Sequence, residues 1–90
     1  MNEKKAKALL NFKKAQTHIS KIMTMIENDE YCVDIMQQNL AVMGLLKSAQ
    51  QSIMEGHLNS CFKDAMKTND EDKQQKMIKE ILVVSNWANR

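Results

Sequence analysis

Apolar residues recur along this chain at helical spacing in three segments. From about residue 3 to residue 27, Ala6, Leu9, Leu10, Phe12, Ile19, Ile22, Met23 and Ile26 follow one another mostly at steps of three and four, which predicts one helix with a single buried face. The opposite side is basic: Lys4, Lys5, Lys7, Lys13, Lys14 and Lys21 stand against Glu3 alone until Glu27. Asn28-Asp29-Glu30 then reads as a tight turn whose Asn and Asp side chains cap the next helix. A second helix is predicted over 31–66, carrying Val33, Met36, Leu40, Met43, Leu46, Ala49, Ile53, His57, Cys61 and Ala65 down one flank. Thr68-Asn69-Asp70 is a polar connector, and a third helix over 71–87 has Met77, Ile78, Ile81, Leu82 and Val84 as its apolar side. The residues after it are expected to fray.

The fold class expected from this pattern is all-α, a three-helix protomer forming one domain over residues 1–90. Composition agrees: the chain has no proline and two glycines, Gly44 and Gly56, and is rich in Lys, Gln, Met, Leu and Ala, which lose little side-chain freedom in a helix. Length changes the picture. Ninety residues bury a limited core. A helix of about 35 residues would span about 50 Å, against a radius of gyration of about 12 Å for a compact chain of this size. Such a helix overhangs its own domain and calls for a second copy. No apolar run reaches membrane-spanning length and no signal-type apolar core follows the first lysines, so a soluble, cytoplasmic protein is expected. In that compartment Cys32 and Cys61 are free thiols, metal ligands or redox sensors rather than a structural disulfide.

His57 and Cys61 are four apart, so on a helix an imidazole and a thiolate project from the same face and can converge on one ion. Alone, the pair is also what ordinary helix packing produces, since buried Cys behaves as a small apolar residue. Cys32 lies about 37 Å from His57 along a continuous helix. The three join only if two helices pair antiparallel across a two-fold axis near Leu45 and Leu46, beside Gly44, where the missing side chain permits close approach. Two thiolates and one imidazole suit three-coordinate Cu(I); Zn(II) would want a fourth ligand or a water. His18 reads as a packing or hydrogen-bonding residue, and Tyr31 and Trp87 as amphipathic packing residues.

Tyr31-Cys32-Val33-Asp34, then Gln38, Ala41-Val42, Leu46 and His57-Leu58-Asn59-Ser60-Cys61, preceded by a basic helix ending Met25-Ile26-Glu27-Asn28-Asp29-Glu30, resembles the CsoR family of copper-sensing repressors over nearly the whole chain. The resemblance implies a three-helix protomer paired into an antiparallel four-helix-bundle dimer, usually stacked as a dimer of dimers. It implies Cu(I) bound by Cys32 of one protomer with His57 and Cys61 of the other. Tyr31 and a third-helix glutamate, best matched by Glu80, would form the outer shell that fixes the His57 tautomer. Nickel and cobalt sensors of the family carry an N-terminal histidine that residues 1–14 lack; formaldehyde sensors replace the last cysteine and persulfide sensors lack the histidine, both present here.

The function so implied is a Cu(I)-responsive repressor that releases operator DNA on binding metal. Lys13, Lys14, Lys21 and Lys47 are the candidate phosphate contacts. Where the family shows arginine, this chain has Asn11 and Met43, and its one arginine is Arg90. Lysine neutralises phosphate without arginine's planar fork. Two other readings stay open: a copper buffer or delivery protein without specific DNA binding, and a thiol redox or persulfide sensor using Cys32 and Cys61. An enzyme is not expected, since no Gly-rich loop or oxyanion arrangement accompanies His57 and Cys61.

Overall fold

The computed structural model describes residues 2–88, and among these the regular structure is entirely helical. The expected fraying of the last residues, and Arg90, lie outside the described residues. Helix α1 runs Glu3–Glu27 and α2 Cys32–His57; a π-helical turn, Leu58–Phe62, leads into the short α3, Lys63–Met66, and α4 runs Glu71–Ala88. The first and last helices match the expected bounds to within a residue, whereas the second is interrupted by five π-helical residues. The chain divides into two compact units between Gly56 and His57.

The first unit is an α-hairpin. Three cross-helix pairs give its direction: Lys4 Nζ to Glu55 Oε2 at 2.7 Å, Asn11 Nδ2 donating to Ser48 Oγ at 3.1 Å, and His18 Nε2 donating to Gln38 Oε1 at 2.6 Å. As the number rises on α1 it falls on α2, so the helices are antiparallel. Asn2 starts α1, its Oδ1 accepting from the Lys5 amide at 2.7 Å. The turn acts on the helix behind it: Asp29 takes a left-handed φ of 52°, the Glu30 amide donates to Met25 O and the Asp29 amide to Ile26 O. That is the Schellman pair of bonds, with an Asp in the position usually given to glycine. The residue types of this turn predict a cap for α2, but the first turn of α2 closes instead on the Tyr31 carbonyl.

The seam between the helices is not the apolar face expected from the sequence. On α1 the buried and half-buried residues are Lys4, Ala8, Asn11, Ala15, His18, Ile22 and Met25. On α2 they include Ile35, Gln38, Val42, Leu45, Ala49, Ser52 and Gly56. Both sets step alternately by three and four, the heptad spacing of a coiled-coil seam. Most of these side chains are small or polar, and the described residues contain no fully buried large side chain. The larger expected face, Leu9, Phe12, Ile19, Met23 and Ile26, is shifted by one residue and is exposed. Small residues let the axes come close, so the seam is limited by volume. Ala49, fully buried, tests this: Ala49→Leu is expected to cost about 1–3 kcal/mol of stability in denaturant unfolding. A loss below about 0.5 kcal/mol would mean the seam has room.

In the second unit Ala65 is buried and α4 is capped at its start. Asp70 Oδ1 accepts from the Lys73 amide at 3.1 Å, and Gln74 Nε2 donates to the carbonyls of Thr68 at 2.8 Å and Met66 at 3.4 Å. The polar connector thus ends one helix and begins the next. On α4, Met77, Ile81 and Val84 are half-buried, while Ile78, Leu82 and Trp87 are exposed.

Candidate metal centre and its supporting surface

One side of the hairpin gathers the exposed apolar residues. On both helices they stand one position after the seam, and because the helices run in opposite directions a step of about 100° on each turns to the same side. On α1 that stripe is Leu9, Phe12, Ile19, Met23 and Ile26; on α2 it is Met36, Met43, Leu46 and Ile53, all of them exposed. A shallow groove lined by Lys5, Ala8, Leu9, Phe12 and Ile53 joins the two stripes. Contiguous exposed apolar surface of this kind marks an association site.

Cys32 and His57 are the first and last residues of α2, and both belong to this face. Twenty-five residues at about 100° each fall about 20° short of seven whole turns, so the two lie on one line along the helix. Cys32 is an exposed free thiol and Tyr31, before it, is exposed as well. His57 is half-buried. Cys61 is an exposed free thiol inside the π turn, where Ser60 Oγ lies 3.8 Å from its Sγ. π turns within helices are rare and concentrate at functional sites; no sequence signal pointed to this one. Glu80 is exposed on α4.

Two thiols and an imidazole are a soft donor set that fits a cuprous ion better than a hard cation. Among the described residues, however, no group of three or more His, Cys, Asp or Glu within the chain is placed to hold a metal. The donors match the ion in chemistry, and one protomer does not assemble them.

His18 is engaged with Gln38, in agreement with its reading as a hydrogen-bonding residue. Asn11 is committed to Ser48 inside the seam. The Lys4–Glu55 pair raises the Lys4 ammonium above its ordinary range and lowers the Glu55 carboxyl, in each case chiefly through their hydrogen bond and then through the partner's charge. Its contribution is therefore lost as pH falls through the lowered carboxyl value or rises through the raised ammonium value, and is present at neutral pH. Lys13, Lys14, Lys21 and Lys47 are all exposed. Lys7, Lys14 and Lys21 recur at intervals of seven, each one position before a seam residue, so they face away from the apolar side. Lys7 belongs to this row, and its interval of seven is visible in the sequence.

The hairpin is all-α, with one apolar face beside the exposed Cys32 thiol and a lysine row on the other side. The chain belongs to the metal-sensitive transcriptional repressor family, whose pattern it matches over residues 4–85. It is similar to the copper-sensing transcriptional repressor CsoR of Mycobacterium ulcerans (strain Agy99), 39% identical over 66 residues, which are 73% of this chain and 56% of that protein. CsoR of Mycobacterium tuberculosis (strain H37Rv) is 38% identical over 66 residues, with the same coverage. CsoR of Bacillus subtilis (strain 168) is 38% identical over 58 residues, 64% of this chain and 57% of that one. The chain thus spans somewhat more than half the length of the curated relatives it matches. No described helix is long and apolar enough to cross a membrane.

Proposed function

We propose that this chain is a Cu(I)-responsive repressor that acts as an oligomer in the cytoplasm, its 90 residues working as one metal-sensing domain. The observation that carries the reading is the apolar face of the hairpin, with Cys32 at one end of its α2 stripe and His57 at the other. Laying this face on a second copy about a two-fold axis near Leu45 and Leu46 makes an antiparallel four-helix bundle. Met43 of one protomer then meets Leu46 of the other, and Cys32 of each approaches His57 and Cys61 of its partner. Gly44 has no part in this contact: it stands one position before the seam residue Leu45, on the side away from the apolar face, and a Cβ there meets nothing within 4 Å in the protomer.

Cys32, His57 and Cys61 would hold Cu(I), with Tyr31 and Glu80 orienting the imidazole from outside; Zn(II) fits the same donors with an added ligand. Bound metal supplies a link between the two protomers. The protein's own part is to favour different helix arrangements with and without that link, and the difference in metal affinity between the arrangements is the coupling to DNA. Exposed Lys13, Lys14, Lys21 and Lys47 are the phosphate contacts in this reading. No catalytic role is assigned.

Titrating Cu(I) into a complex with the protein's own upstream DNA is expected to weaken binding by about 5-fold to 150-fold, the usual range of such couplings, and Cys32→Ala to abolish the response. Unchanged DNA affinity on metal loading of the wild type would sink the proposal. A second reading, a copper buffer without specific DNA binding, draws on one observation: Asn11 is spent on Ser48 within the seam and cannot reach a phosphate from there. Tight Cu(I) binding without any salt-dependent DNA affinity would select it.

A further inference from the structure

We propose that duplex DNA docks on the face of the hairpin turned away from the apolar one, its phosphate backbone held by Lys7, Lys14 and Lys21; the inference rests on the reading of the chain as a DNA-binding repressor. The three lysines are exposed, and each stands one position before a seam residue, Ala8, Ala15 or Ile22. Seven residues make nearly two whole turns and advance about 10.5 Å, so the row is straight and about 21 Å long. A duplex carries one phosphate per about 1.7 Å of its axis, so a row of that length faces roughly twelve of them. None of the three lysines is in an ion pair among the described residues, whereas Lys4 is matched with Glu55.

The distribution of charge selects a polyanion over plain solvent. Between Glu3 and Glu27 on α1, and between Asp34 and Glu55 on α2, the hairpin carries seven lysines and no carboxylate. Its acids stand at the two ends, Glu3 and Glu55 at one and Glu27, Asp29, Glu30 and Asp34 at the other. A solvated face ordinarily intersperses both signs, whereas a field of one sign draws an oppositely charged partner. For a member of a transcriptional repressor family that partner is duplex DNA. The neighbouring strip of α2 leaves room for it: Ala41, Gly44 and Ser48 each stand one position before a seam residue, and a Cβ at Gly44 would meet nothing within 4 Å. Neither Asn11, bonded to Ser48, nor Met43, in the apolar stripe, has a part. The same geometry removes two other residues. Lys13 and Lys47 each stand two positions after a seam residue, Asn11 or Leu45, about 200° round the helix, and so lie off this face on the outer edges of α1 and α2. Lys14 and Lys21 therefore keep the phosphate role, Lys7 joins them, and Lys13 and Lys47 fall outside the contact.

The test is the salt dependence with which the metal-free full chain binds the protein's own upstream DNA. Each lysine to phosphate contact contributes about 0.9 to the slope of log affinity against log salt. Lys14→Gln combined with Lys21→Gln is expected to lower that slope by at least about 1.8, and Lys7→Gln alone by at least about 0.9, with larger falls where several copies of the chain touch one duplex. Lys13→Gln combined with Lys47→Gln removes as much charge as the first pair and is expected to leave the slope unchanged. All five positions are exposed and none is in an ion pair among the described residues, so the variants are expected to keep the helical signal of the wild type. If the wild type binds the duplex, an unchanged slope in the Lys14 and Lys21 double variant or in Lys7→Gln, or an equal or larger fall in the Lys13 and Lys47 double variant, overturns the assignment of this face alone. A wild type that binds no duplex, or only vesicles containing anionic lipid, overturns the repressor reading together with it.

Discussion

Leu46→Glu is expected to convert the protein from an associated to a monomeric state at micromolar concentration and to abolish its cooperative thermal transition. In the face-to-face pairing Leu46 lies close to the two-fold axis, so a carboxylate there appears twice within one apolar interface. Burying an unpaired charge costs about 3–5 kcal/mol, and with two copies association should weaken by at least about 100-fold. Loss of the transition follows from the protomer itself. Its buried apolar residues are Ala8, Ala15, Met25, Val42, Ala49 and Ala65, whereas Phe12, Met36, Leu40, Met43 and Leu46 are exposed. At about 25 cal/mol per Å² of buried apolar surface, alanines contribute little, and in the proposed pairing the larger side chains stabilise the fold once a second copy covers them. Sedimentation and melts over a range of protein concentrations read both effects. A monomer that melts cooperatively at a concentration-independent temperature would show that the apolar face is not needed for folding.

Mixed dimers of two defective chains should bind one tight Cu(I). Cys32→Ala and Cys61→Ala each spoil both sites of their own homodimer. In a heterodimer, the intact Cys32 of one chain meets the intact His57 and Cys61 of the other, leaving one site whole and one without either thiol. Differently tagged chains, co-expressed and purified through both tags, are expected to hold about half the tightly bound Cu(I) of the wild type. The two homodimers should bind at least about 100-fold more weakly than wild type, since loss of a direct ligand exceeds the 10-fold to 100-fold typical of an outer support. Sites built within single chains would leave the heterodimer as defective as either parent, and that result would discard the two-protomer arrangement.

Much of this organisation was legible in the chain. Steps of three and four locate α1 and α4 to within a residue. Three features were not legible. The apolar periodicity of α1 predicts a single buried face without saying against what, and in the protomer that face is exposed while the seam lies one residue away. Ala8, Asn11 and Ala15 give the seam no hydrophobic signal; only their heptad spacing marks it. The π turn at Leu58–Phe62 leaves no trace in residue type, since one shifted hydrogen bond per residue changes no propensity. Asp29 was placed correctly in a turn, but its left-handed backbone makes it the end of one helix and not the start of another.

The small-residue seam carries a consequence for register. Two stripes one residue apart obey opposite rules: Ala8 and Ala15 sit where bulk is excluded, while Leu9 and Phe12 sit where bulk is wanted and charge is not. A slip of α1 by a single residue would present Leu9 and Phe12 to Ala49 and Ser52, and would turn Ala8 and Ala15 out in place of the large apolar residues of the exposed face. Both errors arise from the same displacement, so each penalises it independently. The hairpin is thus keyed by side-chain size in the way a lock is keyed by depth of cut, with Ala8, Ala15, Ala49, Ser52 and Gly56 excluding bulk along a seam that Ile22, Met25, Ile35, Val42 and Leu45 help to fill.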